Sequence, residues 1–271
     1  MISSFPADMT SFPDKNRNDA SPDIGTRDVF GFSVAVSSVG EMCSVLVERA
    51  LAGEAPFLVA AADVHVITRG VHEPEYGAVL ERMDVICPDG MPVVWKLNRV
   101  RGGGKPAERV SGPDLMEAVV KANAEYPGLR HFLLGGHERT LETLAARLAE
   151  KFPGFCLAGV YSPPFRYWSE KDLQDMREAI ASSGANVVWV GLGCPKQERW
   201  MAEQKDLLPP AVYAGVGAAF AFHAGTVKRA PVWMQKNSLE WLYRICREPG
   251  RLLKRYVKHN SLFVWYLLTG R

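Results

Sequence analysis

The 271-residue sequence has no apolar run approaching the ~20 residues that cross a bilayer, so a membrane-spanning helix is not expected. Its start has neither a basic n-region nor an apolar h-region, so no secretory signal is expected either. Cysteine is sparse: five residues (43, 87, 156, 194 and 246), odd in number and with no CxxC pair. That argues for a reduced, cytosolic chain without a disulfide framework or structural zinc. There is no HxH, HExxH or paired-carboxylate spacing for a metal, and no DxD triplet for a metal-bound nucleotide diphosphate. No GxSxG supports a serine hydrolase. Repeats are lacking, and low complexity is confined to the first residues.

What is present fits a globular protein, with 47% hydrophobic and 23% charged residues. The length suits one large domain, or one domain with an appendage. The net charge of +2 hides an asymmetry: residues 227–271 hold ten Lys/Arg against two Asp/Glu, a net of +8, leaving −6 for the remainder. Such a tail is expected to meet something anionic.

Residues 1–27, rich in Ser, Pro, Asp and Asn, are expected to be disordered. Phe30–Val36 reads as a first strand, and Ser38 as the cap of a helix stopped by Gly53. A second strand, Pro56–Ala62, ends beside Asp63 and His65. Pro74–Met83 has helical spacing. A short strand, Val85–Cys87, delivers Pro88, Asp89 and Gly90, and a helix follows to about Leu97. Arg101–Lys105 reads as a flexible loop. Ser111, Pro113 and Asp114 then open a helix. His131–Leu134, Phe155–Tyr161, Val187–Val190 and Ala211–Val216 are the remaining strands. Helices are expected between them from Glu138 and from Ser169, which makes an approximate capping box with Asp172. Strands alternating with helices from about 55 to 220 predict an α/β fold with a mostly parallel sheet. Ligands in such sheets sit beyond the carboxyl ends of the strands. Asp89 and the glycine turns at 135–136, 191–193 and 215–217 would share that rim.

The stretch Asn186–Met201, NVVWVGLGCPKQERWM, organises the rest. It reads as a strand, a glycine turn and a helix start. Gly191 and Gly193 permit positive φ and close approach of a ligand. Pro195 suits the first helical position. The free N–H groups and helix dipole form an anion site, to which Lys196 adds a point charge and Gln197 a donor and an acceptor. An ordinary β–α turn is the alternative. Asp89 could take a proton from a hydroxyl nucleophile, or simply cap the next helix. Arg109 could clamp a phosphate, or sit in a surface ion pair. His65 and His223 read as packed, hydrogen-bonded histidines.

In the tail, aromatic residues (Trp233, Trp241, Tyr243, Tyr256, Trp265, Tyr266) interleave with basic ones. Over 249–268, Leu252, Leu253, Tyr256, Val257, Phe263, Val264 and Leu267 would share one helical face and Arg251, Lys254 and Lys258 the other. That is a basic amphipathic helix suited to an anionic membrane surface, or one packed on its own domain. A dinucleotide-dependent oxidoreductase has weak support: GLGCPK has two of the three glycines of G-x-G-x-x-G, and no acidic ribose ligand follows near Tyr213. A non-catalytic nucleotide-sensing adaptor at the membrane is a second alternative. A nucleic-acid binder is a third, although Phe263 to Leu268 suit lipid better than phosphodiester.

As a set, DGMPVVW (89–95), RVSGPDLM (109–116), GLGCPKQERWM (191–201), GVGAAFAFHAGTVKRAP (215–231) and LEWLYRICREPGRLLKRY (239–256) resemble the WecG/TagA/CpsF glycosyltransferases, family 26, over about residues 29–268. The resemblance implies a Rossmann-like domain at 28–226 and a helical, membrane-associating appendage at 227–271. It implies an inverting, metal-independent transfer, without cofactor, from a UDP-sugar (UDP-ManNAc, UDP-ManNAcA or UDP-glucose) to a polyprenyl-diphosphate-linked saccharide in bacterial polysaccharide synthesis. The enzyme would lie on the inner face of the cell membrane, with no nucleic acid partner and self-association open to it.

Carried over by motif, Asp89 is the catalytic base, Gln197 lies in the nucleotide-sugar pocket, Arg109 near a diphosphate, and Arg244 reaches the site from the appendage. Asp63, Gly135, Gly191, Gly193, Lys196 and Gly217 complete the expected substrate-binding set. The helix starts near Gly193 and Gly217 would stabilise the leaving group. Arg247, Arg251, Lys254, Arg255 and Lys258 are expected to face lipid. Three positions depart from the family pattern: Ala61 and Asp63, where Thr and Asn are frequent, and Ala221, where many members have Asp. Truncation after Thr226 is expected to give a more soluble, nearly inactive protein.

Overall fold

A computed structural model describes residues 24–99, 105–236 and 239–270. Most of the N-terminal segment expected to be disordered, and residues 101–104 of the expected loop, lie outside the described residues. Two short strands come first, β1 (Thr26–Val29) and β2 (Phe32–Ala35). They form an antiparallel hairpin apart from the main sheet. The single strand expected from Phe30 is therefore broken: Phe30 and Gly31 form the turn, with φ of 55° and 95°. The Asp28 carboxylate holds it by accepting the Gly31 N–H at 2.8 Å.

The chain then alternates through α1 (Val39–Ala52), β3 (Phe57–Ala62), α2 (Val64–His72), α3 (Pro74–Glu81), β4 (Val85–Pro88), α4 (Met91–Asn98) and α5 (Gly112–Lys121). It continues through β5 (His131–Leu134), α6 (Glu138–Lys151), β6 (Leu157–Tyr161), α7 (Glu170–Ser183), β7 (Val187–Val190), α8 (Lys196–Gln204), β8 (Val212–Gly215) and α9 (Ala219–His223). Three helices close the chain: α10 (Val232–Lys236), α11 (Glu240–Arg247) and α12 (Pro249–Thr269). Side-chain caps set several starts. Ser38 and Ser169 make full capping boxes with Glu41 and Asp172. Asp63 caps α2 by accepting from the Val66 N–H at 3.0 Å. These bonds satisfy amides that the helix itself leaves open.

Six strands form one parallel sheet in the order β4-β3-β8-β7-β5-β6. A hydrophobic core lies on each side of it. Val188 and Val190 of β7 face one core, with α2, α3, α7 and α8; Val187 and Trp189 face the other, with α1, α5, α6 and α9. A strand buried on both faces needs an unbroken apolar run, which is why VVWV carries no polar alternation. This doubly covered parallel sheet is Rossmann-like.

One polar chain runs through the second core. The Trp189 indole N–H donates to His131 Nδ1 at 3.0 Å, so the proton of this ring sits on Nε2 and goes to Asn123 Oδ1 at 2.5 Å. Asn123 in turn donates to the Leu129 carbonyl at 2.9 Å. Burial depresses the His131 pKa to about 3 and keeps the ring neutral.

Helix α12 packs on its own domain. Leu252, Phe263 and Tyr266 are buried, and Phe263 and Tyr266 meet Phe30 of the hairpin turn at ring distances of 5.2 and 5.5 Å. Leu253, Val257, Val264 and Leu268 are exposed. The expected single apolar face is therefore two: one stripe belongs to the core, the other to the surface. Cutting after Thr226 would strip side chains from the core, so the expectation of a more soluble truncate is revised.

Candidate active site

Each expected rim residue lies just beyond a strand's carboxyl end. Asp63 follows β3, Asp89 follows β4, Gly135 follows β5, Gly191 and Gly193 follow β7, and Gly217 follows β8. A cavity of about 660 Å³ opens there, within the usual range for small-molecule sites. Asp63, Asp89, Arg109, Gly191, Gly193, Gln197, Gly217 and Arg244 all line it. Asp89 and the 191–197 turn thus share one cavity.

Asp89 does not cap the helix after it; Gly90 occupies that position. Among the described residues the Asp89 carboxylate accepts no hydrogen bond and forms no ion pair. Burial raises its pKa to about 7. The Arg109 guanidinium opposes the rise, while the negative charges of Asp63, Glu240 and Asp114 add to it. A carboxyl titrating near neutrality can accept a proton and later release it, as a general base must.

Arg109 is anchored beside it, because the next amide, Val110 N–H, donates to the Pro88 carbonyl at 2.9 Å. Its guanidinium meets Glu240 at 3.0 Å and Asp114 at 3.2 Å. This is a half-buried network, not an isolated surface pair. Arg244 lines the cavity from α11, with its guanidinium 5.8 Å from the Phe222 ring centre.

Gly193 keeps the open, positive-φ backbone read from the sequence, while Gly191, Gly135 and Pro195 work differently from expectation. Gly193 has φ of 79°, and a Cβ there would meet nothing within 4 Å, so its backbone is open to a ligand. Gly191 is needed for space: a Cβ there would come within 2.6 Å of the Phe220 ring. Gly135 lies outside the cavity lining and supports Gly191 from behind, where its own Cβ would come within 2.7 Å of the Gly191 backbone. Pro195 sits one residue before the first helical position, as the N-cap of α8.

Two expected phosphate contacts are redirected. Lys196 does not line the cavity; its ammonium lies 5.8 Å from the Trp168 ring centre. The Gly217 N–H is already donated to Gln197 Oε1 at 3.1 Å. The helix behind it, α9, has only five residues and therefore a weak dipole. Gln197 is buried and also donates to Glu198 at 2.8 Å, so it clamps the β7 and β8 turns together at the cavity floor.

Of the residues expected to face lipid, Arg255 lines the cavity instead. Its Nε is buried without a hydrogen-bond partner. Arg247 stacks on Tyr243, while Lys254 and Lys258 are exposed. The Arg251 side chain lies outside the described residues. Among those described, no helix is long and apolar enough to cross a membrane.

Sequence reasoning missed Arg229, Glu240 and His259, which also line the cavity. It also read His65 as hydrogen-bonded. His65 does pack on the His259 ring at 4.3 Å, but its Nδ1 is buried without a partner. His223 is as expected, bonded to the Pro113 carbonyl at 3.0 Å. One signal for Glu240 was available: the strongly basic tail has only two acidic residues, Glu240 and Glu248, and both line the cavity.

Residues 27–271 match the family described as the glycosyl transferase WecG/TagA/CpsF family. A relative from Bacillus spizizenii, named N-acetylglucosaminyldiphosphoundecaprenol N-acetyl-beta-D-mannosaminyltransferase, is 33% identical over 194 residues. Those residues cover 71% of this chain and 72% of the relative. With a match that spans both the sheet domain and the appendage, this chain belongs to the WecG/TagA/CpsF family of glycosyl transferases.

Proposed function

We propose that the protein transfers a sugar from a UDP-sugar to a polyprenyl-diphosphate-linked saccharide in a single displacement. The observation that carries this reading is the Asp89 carboxylate, free of hydrogen bonds, in the same cavity as the open Gly193 backbone. Asp89 takes the proton from an acceptor hydroxyl, whose oxygen attacks the anomeric carbon. The bond from that carbon to the diphosphate oxygen breaks, UDP departs with the electron pair, and the anomeric configuration inverts.

Two arginines of the lining that lie outside the ion pairs of Asp114 and Glu240, Arg244 and Arg255, supply positive charge for the donor and acceptor phosphates. The relative's name supports N-acetylmannosamine as the sugar and a diphosphoundecaprenol-linked N-acetylglucosamine as the acceptor. The exposed stripe Leu253, Val257, Val264 and Leu268, beside Lys254 and Lys258, supports docking of the 227–271 appendage on an anionic membrane.

UDP release tests the reading. The protein is given UDP-ManNAc, UDP-ManNAcA or UDP-glucose with a polyprenyl-diphosphate-linked N-acetylglucosamine. Acceptor-dependent release with one donor is expected. No release with any of them would favour a non-catalytic nucleotide-binding adaptor.

A further inference from the structure

Arg109 has an unusual relation to Asp89. It lies close enough to oppose the rise in the acid's pKa, yet no ion pair joins the two. Its guanidinium is claimed elsewhere, by Asp114 before the second turn of α5 and by Glu240 at the start of α11. Arg229 closes the ring, with nitrogens 2.5 and 2.9 Å from the two Asp114 oxygens and 3.5 Å from Glu240. Ser111 also donates to Asp114, at 2.5 Å.

The result is a quartet of two cations and two anions. Its side chains are between 15 and 34% exposed, so solvent screens it only in part. The complete quartet is neutral. Without Glu240 it carries one excess positive charge beside Asp89, and one arm of Arg109 is released. A guanidinium freed next to a half-buried carboxylate would pair with it, and a carboxylate so paired is a weaker base for a hydroxyl.

We propose that Glu240 is a positioning residue: from the C-terminal appendage it joins Asp114 in holding Arg109 beside Asp89 without letting the two pair, so that the base is free only while α11 is docked. This rests on the reading of Asp89 as the base. The groups acting on Asp89 are Arg109, Arg229, Asp63, Asp114 and Glu240, with the buried Cys87 thiol two residues before it. Among these, Glu240 is the contribution of the appendage beyond residue 230. Removing its charge and freeing Arg109 both push the Asp89 titration downward, so the two effects cannot cancel.

The test follows Asp89 itself. Full-length protein labelled with 13C at aspartate carboxyls is titrated by NMR, with D89N assigning the signal, and the pH dependence of kcat/KM is measured in parallel. E240Q is expected to lower both the Asp89 midpoint and the acid limb of the rate profile by about 1 pH unit, and E240D to restore them towards the starting values. R229M removes a cation and is expected to move the midpoint the other way, which supplies a signed reading if E240Q does not fold. If both variants lose activity equally at every pH with the Asp89 midpoint unmoved, the role of Glu240 is structural only and the proposal is overturned. If the midpoint moves but the rate ignores it, the positioning effect stands and the assignment of Asp89 as base fails.

Discussion

Replacing Asp89 with Asn should make the protein more stable and nearly inactive, with the gain in stability growing as pH rises from 3.8 to about 7 and level above that. In the folded chain the Asp89 pKa is raised from 3.8 to about 7. The folded state therefore holds a proton that the unfolded state releases between those values, and stability through this group falls as pH rises from 3.8 to about 7 and levels off above it. Three pH units at 1.36 kcal/mol each set an upper value near 4 kcal/mol. Asp89 keeps some solvent contact, so about 3 kcal/mol at pH 8 is a fair expectation.

For a domain of this size that corresponds to a rise in Tm of roughly 6–12 °C. At pH 5 the folded carboxyl is mostly protonated but the unfolded one is already ionised, so the gain from Asn is smaller there, about 1.5 kcal/mol. Thermal melts of D89N and the unsubstituted protein at pH 5 and pH 8 give the comparison, and turnover should fall at least ~100-fold. A Tm difference equal at the two pH values, or a loss at both, would refute the placement of a desolvated acid in the cavity lining. Near-normal turnover would refute its role as base.

Gly135→Ala should destabilise the fold by roughly 2–4 kcal/mol in urea titration, because φ of 114° and a Cβ within 2.7 Å of the Gly191 backbone leave no room for adjustment. His131→Leu should cost a similar amount at pH 7, since the Trp189 N–H and the Asn123 oxygen would each lose a buried partner. With the His131 pKa lowered from 6.5 to about 3, the stability this ring contributes is complete above pH 6.5 and lost as pH falls towards 3, so the variant's melts should be less acid-sensitive. Val257→Glu together with Leu268→Glu should abolish flotation with anionic vesicles while leaving the far-UV spectrum unchanged, because both side chains point to solvent; unchanged flotation would remove the α12 surface from the membrane contact.

Much of the fold was legible because its signals are local. Ser38, Gly53, Ser169 and Asp172 act through hydrogen bonds or φ values within a few residues, so their positions alone mark helix ends. Helix α2 was not legible. VHVITRGVH is rich in β-branched residues and contains a glycine, a poor helix by propensity. It forms because Asp63 caps it and Gly70 lets the Phe32 ring approach to 2.6 Å of where a Cβ would stand. The hairpin turn was hidden for a related reason: nothing in a Phe-Gly pair announces φ of 55° at Phe30. The strand-end residues of the site were readable from α/β geometry. Of the appendage residues, Arg244 came only with the family resemblance, and the Glu240 contact was not readable, because Arg109 and Glu240 meet across 131 positions and neither carries a local signature of the other.

The contact of Phe30 with Phe263 and Tyr266 sets an order on events at the ribosome. The hairpin emerges among the first described residues, but its partner is in the last helix. Trp241, Arg244, Tyr256 and His259, which wall one side of the cavity, emerge just as late. A nascent chain can build its sheet domain by domain rules during synthesis, yet it holds an open trough until α12 leaves the exit tunnel. A chain interrupted before α11 therefore presents the rim of the sheet without the wall that faces it.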